Sequence, residues 1–238
     1  MRISIARSNG TLELTNLSLE DLQKSGQFKV PVVVVAPHMD DEIYSCMSVL
    51  QEAIYNQDPI WLVYASHGEH QEKRYEMYGK LSMMLGYDLT IIRLDAFEDG
   101  KSNETPIVNL VTNLDKIVAV SKALFIPEKS NHQDHEYVYR ACMSAIRYRD
   151  KLPKKFVCYA YNYVYNHEEI IPNVYQELYR GTFDIKYAFL GVLDRVDGIL
   201  KDYVNSGKVI EAIARVNGSK IPAEFGESFR LIRKSSLF

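Results

Sequence analysis

The chain has 238 residues, 47% of them apolar and 25% charged, with a net charge of −3. That length supports one domain with a full hydrophobic core, and these ordinary proportions exclude a disordered chain. The slight acidity gives no basis for nucleic-acid binding, which calls for a basic excess, and the longest apolar run, near Val30 to Pro37, falls far short of the ~20 residues of a membrane span.

Residues 1–22 alternate polar and apolar side chains and lack the apolar segment of a secretory signal. Within them, Ile3 to Ala6 and Thr11 to Leu14 flank Asn9-Gly10, a hairpin-turn dipeptide. Residues 1–28 are therefore expected to form an N-terminal β-hairpin extension that decorates the sheet edge or packs on a neighbouring subunit. Strand and helix patterns then alternate: strand 32–36, helix 41–56, strand 60–65, helix 71–85, strand 89–94, helix 106–120, strand 123–126, helix 135–149. Such alternation predicts an α/β fold of three layers, a mostly parallel sheet with helices on both faces. Arg147, Arg149, Lys151, Lys154 and Lys155 read as the solvated end of a helix and its turn, or as an attractor of a phosphate-bearing substrate. Phe156 to Tyr165 alternates, placing Tyr159, Tyr161, Tyr163 and Tyr165 on one strand face, either a half-buried packing face or a platform for stacking sugars. Lys186 to Leu200 reads as a helix, and Gly218 to Arg233 as a turn and a final strand. No repeat or linker divides the chain, so residues 1–238 are expected to form a single domain. Cys46, Cys142 and Cys158 are odd in number and sit in apolar contexts, as reduced core residues of a cytoplasmic protein do, and none has zinc-finger spacing.

Two polar clusters stand at predicted strand ends. Val32-Val33-Val34-Val35 is a β-branched run of the kind buried on both faces, and it leads into Ala36-Pro37-His38-Met39-Asp40-Asp41-Glu42 before a helical stretch. Such turns, at the carboxyl ends of strands in open α/β sheets, are where ligand sites collect. His38 and Asp41 are spaced to converge on one point, but two ligands do not close a metal site. The second cluster, Asn131-His132-Gln133-Asp134-His135, follows the apolar run Ala123 to Pro127 and supplies a third. Two histidines and one carboxylate make a catalytic type of zinc set with a position left for water, whereas structural sites are closed and richer in cysteine. Taken singly, His-x-x-Asp reads as a helix cap beside an exposed histidine, and Asp40 or Asp41 as an ordinary N-cap. The two clusters together argue for metal.

The paired motifs resemble those of the PIG-L/LmbE-like family of zinc-dependent N-acetylglucosaminyl deacetylases, (A/P)-H-P-D-D-E early and H-x-D-H later. The likeness extends to Gly68-Glu69, Arg74, Glu76, Leu85-Gly86 and Asp99-Gly100, and then to Ala214-Arg215, Gly218, Ala223-Glu224 and Phe229. The resemblance implies a Rossmann-like fold. It also implies that His38, Asp41 and His135 hold Zn2+ and that Asp40 is the general base acting on a metal-bound water. Zinc lowers the pKa of its water to about 7, and an adjacent carboxylate can take the proton as the water attacks an amide carbonyl. By the same likeness His132, as an imidazolium, stabilises the developing oxyanion or protonates the departing amine. Asp134 orients or charges a histidine, while Arg74 and Asp99 face the substrate. The plainer readings are an exposed helix arginine paired with a glutamate, and a turn residue before Gly100. Glu42 is assigned to structure, as a carboxylate favoured by the dipole of the first helical turn.

Two departures stand out. Met39 replaces the family's proline without removing a chemical group, and His67 stands where an acidic residue is more usual. His67 and His70 are expected to line the cleft without binding zinc. The implied reaction is removal of the N-acetyl group from an N-acetylglucosamine-type conjugate, a small-molecule amino-sugar partner whose aglycone is not encoded legibly. The alternatives are a zinc amidase acting on another acyl-amide and a non-catalytic metal- or sugar-binding protein. Other divalent transition metals suit the same ligands, and a homo-oligomer is compatible with the sequence.

Overall fold

The computed structural model describes residues 4–7, 10–13, 29–68, 71–147, 152–162, 171–197 and 207–235. Its strands are β1 (Ser4–Arg7), β2 (Gly10–Glu13), β3 (Val32–Ala36), β4 (Ile60–His67), β5 (Leu89–Glu98), β6 (Ala123–Pro127), β7 (Val157–Tyr161), β8 (Val174–Glu177) and β9 (Gly226–Lys234). They form one sheet in the order β2-β1-β5-β4-β3-β6-β7-β9-β8. The five central strands, β5 to β7 in that order, pair in parallel. Antiparallel strands extend the sheet at both edges, the N-terminal hairpin on β5 and the pair β9-β8 on β7. The hairpin is therefore an edge decoration. Arg7 pairs with Gly10, so Gly10 opens a strand instead of forming the expected turn, and Asn9 lies outside the described residues.

The helices are α1 (Asp41–Ser45), α2 (Met47–Tyr55), α3 (Gln71–Leu85), α4 (Ile107–Val118), α5 (Gln133–Ala145), α6 (Arg180–Asp197) and α7 (Gly207–Gly218). They cover both faces of the sheet, giving the three-layer Rossmann-like α/β architecture. Alternation along β3 divides the core. Val33 and Val35 pack with Leu110, Leu114, Val138 and Ala141 of α4 and α5. Val32, Val34 and Ala36 face the other way, onto Ile43, Leu50, Leu81, Phe189 and Ala214. The valines from 33 to 35 are fully buried, and removing each such side chain from water contributes about 1.5–3 kcal/mol. Among the described residues no helix is long and apolar enough to cross a membrane.

The chain winds outward from β3 through β4 to β5, then crosses back to β6 and β7. Winding thus reverses between β3 and β6, which makes their carboxyl ends the switch point of the sheet. The two strands pair only from Val32↔Ala123 to Val34↔Phe125 and then part. The freed carbonyl of Val35 accepts the Tyr161 hydroxyl at 2.9 Å.

Several expectations are corrected. The expected helix 41–56 is broken at Cys46, between α1 and α2. β5 runs on to Glu98 through a bulge: pairing passes from Tyr64↔Arg93 to Ser66↔Phe97, and Asp95 adopts φ 44°. A bulge re-aims the end of its strand, and this one brings Asp99 beside the β3 turn. Helix α5 starts at Gln133 and ends at Ala145, short of the expected 149. Tyr159 stacks on Phe125 at 5.2 Å, and Tyr161 is fully buried. These two tyrosines are packing residues, while Tyr163 and Tyr165 lie outside the described residues. The strand β8 and the helix α7 were not expected. Gly218 ends α7 where an added Cβ would lie 2.8 Å from the Ala223 carbonyl oxygen, so the turn back to β9 needs a glycine there.

Candidate metal centre

The turn after β3 is shaped by local bonds. Ser66, beside it on β4, donates both its N–H (3.0 Å) and its hydroxyl (2.7 Å) to the Pro37 carbonyl. The Asp41 carboxylate accepts the His38 N–H at 2.9 Å. Asp41 therefore folds back over the turn while its own residue opens α1. Asp40 occupies the N-cap position, but its side chain caps nothing, so the ordinary N-cap reading does not hold for it.

The second cluster arrives from across the switch point. His132 precedes α5, its N–H held by the Ser130 hydroxyl oxygen at 3.0 Å, and His135 lies one turn further on. His135 Nε2 comes within 3.3 Å of Asp41 Oδ1, and His38 Nδ1 within 3.4 Å of Asp41 Oδ2. One ligand atom from each of His38, Asp41 and His135 falls within a sphere where all lie within 4.8 Å of one another. Asp41 and His135 are 1% exposed, whereas the His38 side chain is 14% exposed, so solvent reaches the group chiefly at His38.

The outer nitrogen of His38 is held in turn. His38 Nε2 lies 3.0 Å from Asp134 Oδ2 and 3.1 Å from Asp99 Oδ1. Asp134 is fully buried and also accepts the N–H groups of Gly100 (2.8 Å) and Ser102 (3.3 Å). Gly100 offers its N–H from φ 77°, a conformation suited to glycine. Asp134 thus contacts His38, with the bulged end of β5 as the third party. Sequence reading did not identify the backbone donors at Gly100 and Ser102, because nothing short of the fold brings that loop to α5.

Arg74, on α3, donates to the Met39 carbonyl at 3.2 Å and sits 3.6 Å from Asp40 Oδ2. Arg74 thus reaches the carboxylate at the β3 turn. Asp99 remains 57% exposed, open to a ligand from the cleft. The His132 ring stands 5.4 Å from that of His38 and 5.0 Å from that of His135. His67 is exposed at the end of β4, where its carbonyl accepts the Asp99 N–H at 2.9 Å, and His70 lies outside the described residues.

Electrostatics separate the two adjacent aspartates. Burial and the Asp41 charge push the Asp40 carboxyl up to about 6, against the pull of Arg74, His38 and His135. Burial raises Asp41 too, but the His135 and His38 imidazoles overcome it and hold this carboxyl far below its ordinary range. Burial opposes the charged form of His38, yet its bonds to Asp134, Asp41 and Asp99 raise it well above the ordinary value. His132 is lowered, first by burial and then by the neighbouring imidazoles His135 and His38. Glu42 is fully buried and takes hydrogen bonds from the Tyr64 hydroxyl (2.8 Å) and the Tyr78 hydroxyl. It is therefore a core carboxyl in the first turn of α1, held by two tyrosine hydroxyls.

Four carboxylates, Asp40, Asp41, Asp99 and Asp134, thus crowd round His38 with Arg74 as the nearby permanent cation. A mostly buried acidic excess of this kind favours further positive charge, and nitrogen and oxygen donors aimed at one point suit a divalent transition ion. The residues fit a metal.

Three comparisons with known proteins bear on this arrangement. The sequence matches the PIG-L family model, described as GlcNAc-PI de-N-acetylase, over residues 33–146. The likeness read in Ala214 to Phe229 lies beyond that match. Comparison with curated proteins finds no match. Among solved structures, the chain is similar to N,N'-diacetylchitobiose deacetylase from Pyrococcus horikoshii, with 17% identity, a TM-score of 0.68, and coverage of 90% of this chain and 88% of that one. It is similar to the zinc inhibited form of teicoplanin deacetylase Orf2, with 12% identity, a TM-score of 0.64 and coverage of 87% and 99%. It is also similar to a 4-carboxy-2-hydroxymuconate hydratase from Pseudomonas putida, with 12% identity, a TM-score of 0.69 and coverage of 88% and 99%. At such identities the structures share the fold, and a hydratase among them shows that the fold alone does not name the reaction. The matched segment 33–146 contains both polar clusters, and over that segment the chain is similar to the PIG-L family.

Proposed function

We propose that the chain is a metal-dependent N-deacetylase that releases acetate from an N-acetylglucosamine-type conjugate and leaves a free amine. The observation that carries this reading is the convergence of His38, Asp41 and His135 at the switch point, with Asp40 and His132 beside them, inside the family segment. The deacetylases among the similar structures support it.

In this reading His38, Asp41 and His135 hold the ion, with zinc the default. A bound zinc ion supplies a Lewis acid for the amide carbonyl and makes water acidic enough to attack near neutral pH. Asp40, next to the ligand Asp41 but not one of the three convergent groups, accepts the proton from the attacking water. Arg74 keeps that carboxylate aimed at the cleft and presents donors to sugar hydroxyls or a phosphate. Asp134 fixes the ring of His38 through Nε2, the usual second partner of a metal-binding histidine. Asp99, half exposed at the cleft, is the acceptor for substrate hydroxyls. His132 is placed to face the developing oxyanion and the departing nitrogen. Burial and the neighbouring imidazoles His135 and His38 shift its ring towards the neutral form.

Acetate release from a panel of N-acetylglucosamine conjugates, free, inositol-, lipid- and nucleotide-linked, tests the proposal. Release by zinc-loaded protein, lost on chelation and restored by zinc, is expected. Zinc binding without release from any member would shift the reading to another acyl group, to hydration chemistry or to binding alone.

A further inference from the structure

The helix that presents Asp40 and Asp41 stops at Ser45, and the chain resumes as α2 one residue later. Such a break leaves backbone carbonyls at the end of one helix and amides at the start of the next without intrahelical partners. Two side chains from the C-terminal half fill this break. Lys186 of α6 donates to the Tyr44 carbonyl at 2.6 Å and to Glu227 Oε1 at 2.7 Å. Glu227 of β9 accepts both the N–H and the hydroxyl of Ser48 on Oε2, each at 2.7 Å. A cation thus meets the carbonyl end of α1 and a carboxylate the amide end of α2, the favourable sense for both helix dipoles. Gln176 of β8 donates to the Ser48 carbonyl at 3.1 Å, and the Ser45 hydroxyl donates to the Asn162 carbonyl at 2.8 Å.

Lys186 and Glu227 are 2% and 4% exposed. A buried ion pair is weak evidence for stability, since well-packed apolar residues of similar volume often do as well. What apolar residues cannot do is give a donor to Tyr44 and an acceptor to Ser48. The link to the site is one turn long. The Tyr44 carbonyl is tied to Lys186, and the Tyr44 and Ile43 N–H groups are tied to the Asp40 carbonyl at 3.2 and 2.9 Å.

We propose that Lys186 and Glu227 are positioning residues for the metal centre: the pair fills the helix break at Cys46 and fixes the turn that presents Asp40 and Asp41. Neither residue touches substrate. This inference rests on the metal-dependent reading above, and it goes beyond that reading in assigning a function to residues of α6 and of the C-terminal strand β9.

Replacing one partner strands a buried charge and risks unfolding, so the test uses two charge-balanced double variants, Lys186→Met/Glu227→Leu and Lys186→Met/Glu227→Gln. Both remove the donor to Tyr44, and the second keeps an acceptor for Ser48. In metal-free protein, amide hydrogen exchange at residues 43–45 is expected to quicken by about tenfold or more, with residues 32–36 unchanged. Zinc affinity, read by competition with a chelating dye, is expected to fall about tenfold, the lower end for partners that orient metal ligands. Turnover should fall through kcat with KM kept. Parental exchange in both folded variants overturns the proposal, as does faster exchange with parental zinc affinity. Parent protein that neither binds zinc nor releases acetate would instead sink the deacetylase reading, and exchange alone would then decide whether the pair holds the turn.

Discussion

Helix α1 is flanked by charge at both ends, and the two ends are built differently. At its start, Asp40, Asp41, Asp99 and Asp134 face His38 and Arg74, an acidic excess beside a cleft. At its end, one lysine and one glutamate meet in the interior, with a backbone carbonyl and a backbone amide as their other partners. The second arrangement is complete in itself. The first is open to the cleft, and its carboxylates outnumber the nearby permanent cation Arg74, a balance that the proposed metal would complete. Fold-holding charges are sealed and paired; charges kept for chemistry are left short of a counter-ion.

The largest effect is expected where the sealed pair loses one member. Lys186→Met leaves Glu227 buried without its cation and is expected to cost about 3–5 kcal/mol, read as a shift of the urea midpoint. Loss of less than about 1 kcal/mol would show that the interior tolerates the lone carboxylate and would erase the contrast between the two ends. Next comes the incomplete end. His135→Ala removes a donor from the convergent set and is expected to abolish zinc retention on dialysis, with a smaller change in the metal-free melting temperature than Lys186→Met gives. Unchanged zinc content would take His135 out of the ligand set.

A third variant sharpens the comparison through pH. Glu42 lies between the two ends, raised by burial to about 8 from an ordinary 4.5 although Tyr78 and Tyr64 donate to it. The folded chain therefore binds this proton more tightly than the unfolded chain does. Stability contributed by Glu42 is complete at acidic pH and is lost as pH rises from about 5 to about 8. Glu42→Gln should be less sensitive than the parent in that window, measured by melting metal-free protein at several pH values. Parallel curves for parent and variant would mean that Glu42 is ionised in the folded chain. The smallest effect belongs to a pair outside the comparison. Arg180 and Glu224, 56% and 46% exposed and 2.6 Å apart, lie in water, and Glu224→Gln is expected to change stability by less than about 1 kcal/mol.

The start of α1 was legible in the sequence and its end was not. His38, Asp41 and His135 stand in two short motifs at the ends of apolar runs, and strand periodicity alone puts such ends on one side of a parallel sheet. The break at Cys46 has no local cause of that kind. Residues 41–55 carry an unbroken helical pattern without proline or glycine, and the break becomes visible only when Lys186 and Glu227 arrive from 142 and 179 residues downstream of their partners. The same holds for the bulge at Asp95, which brings Asp99 and Gly100 to Asp134, and for Glu42, whose tyrosine partners come from β4 and α3. The tyrosines of β7 alternate as expected, but their face turned inward. Period-two patterns mark a face and do not say whether solvent or another layer covers it.

In the proposed reaction labour is divided between neighbours, with Asp41 as metal ligand and Asp40 as the proton acceptor. Acetate release by zinc-loaded Asp40→Asn, with metal content determined on the same sample, tests that division directly. The expected result is one equivalent of zinc retained and turnover reduced by about 10²–10⁴-fold, the usual contribution of a positioned base. Parental turnover with zinc bound would contradict the account and return Asp40 to a structural partner of Arg74.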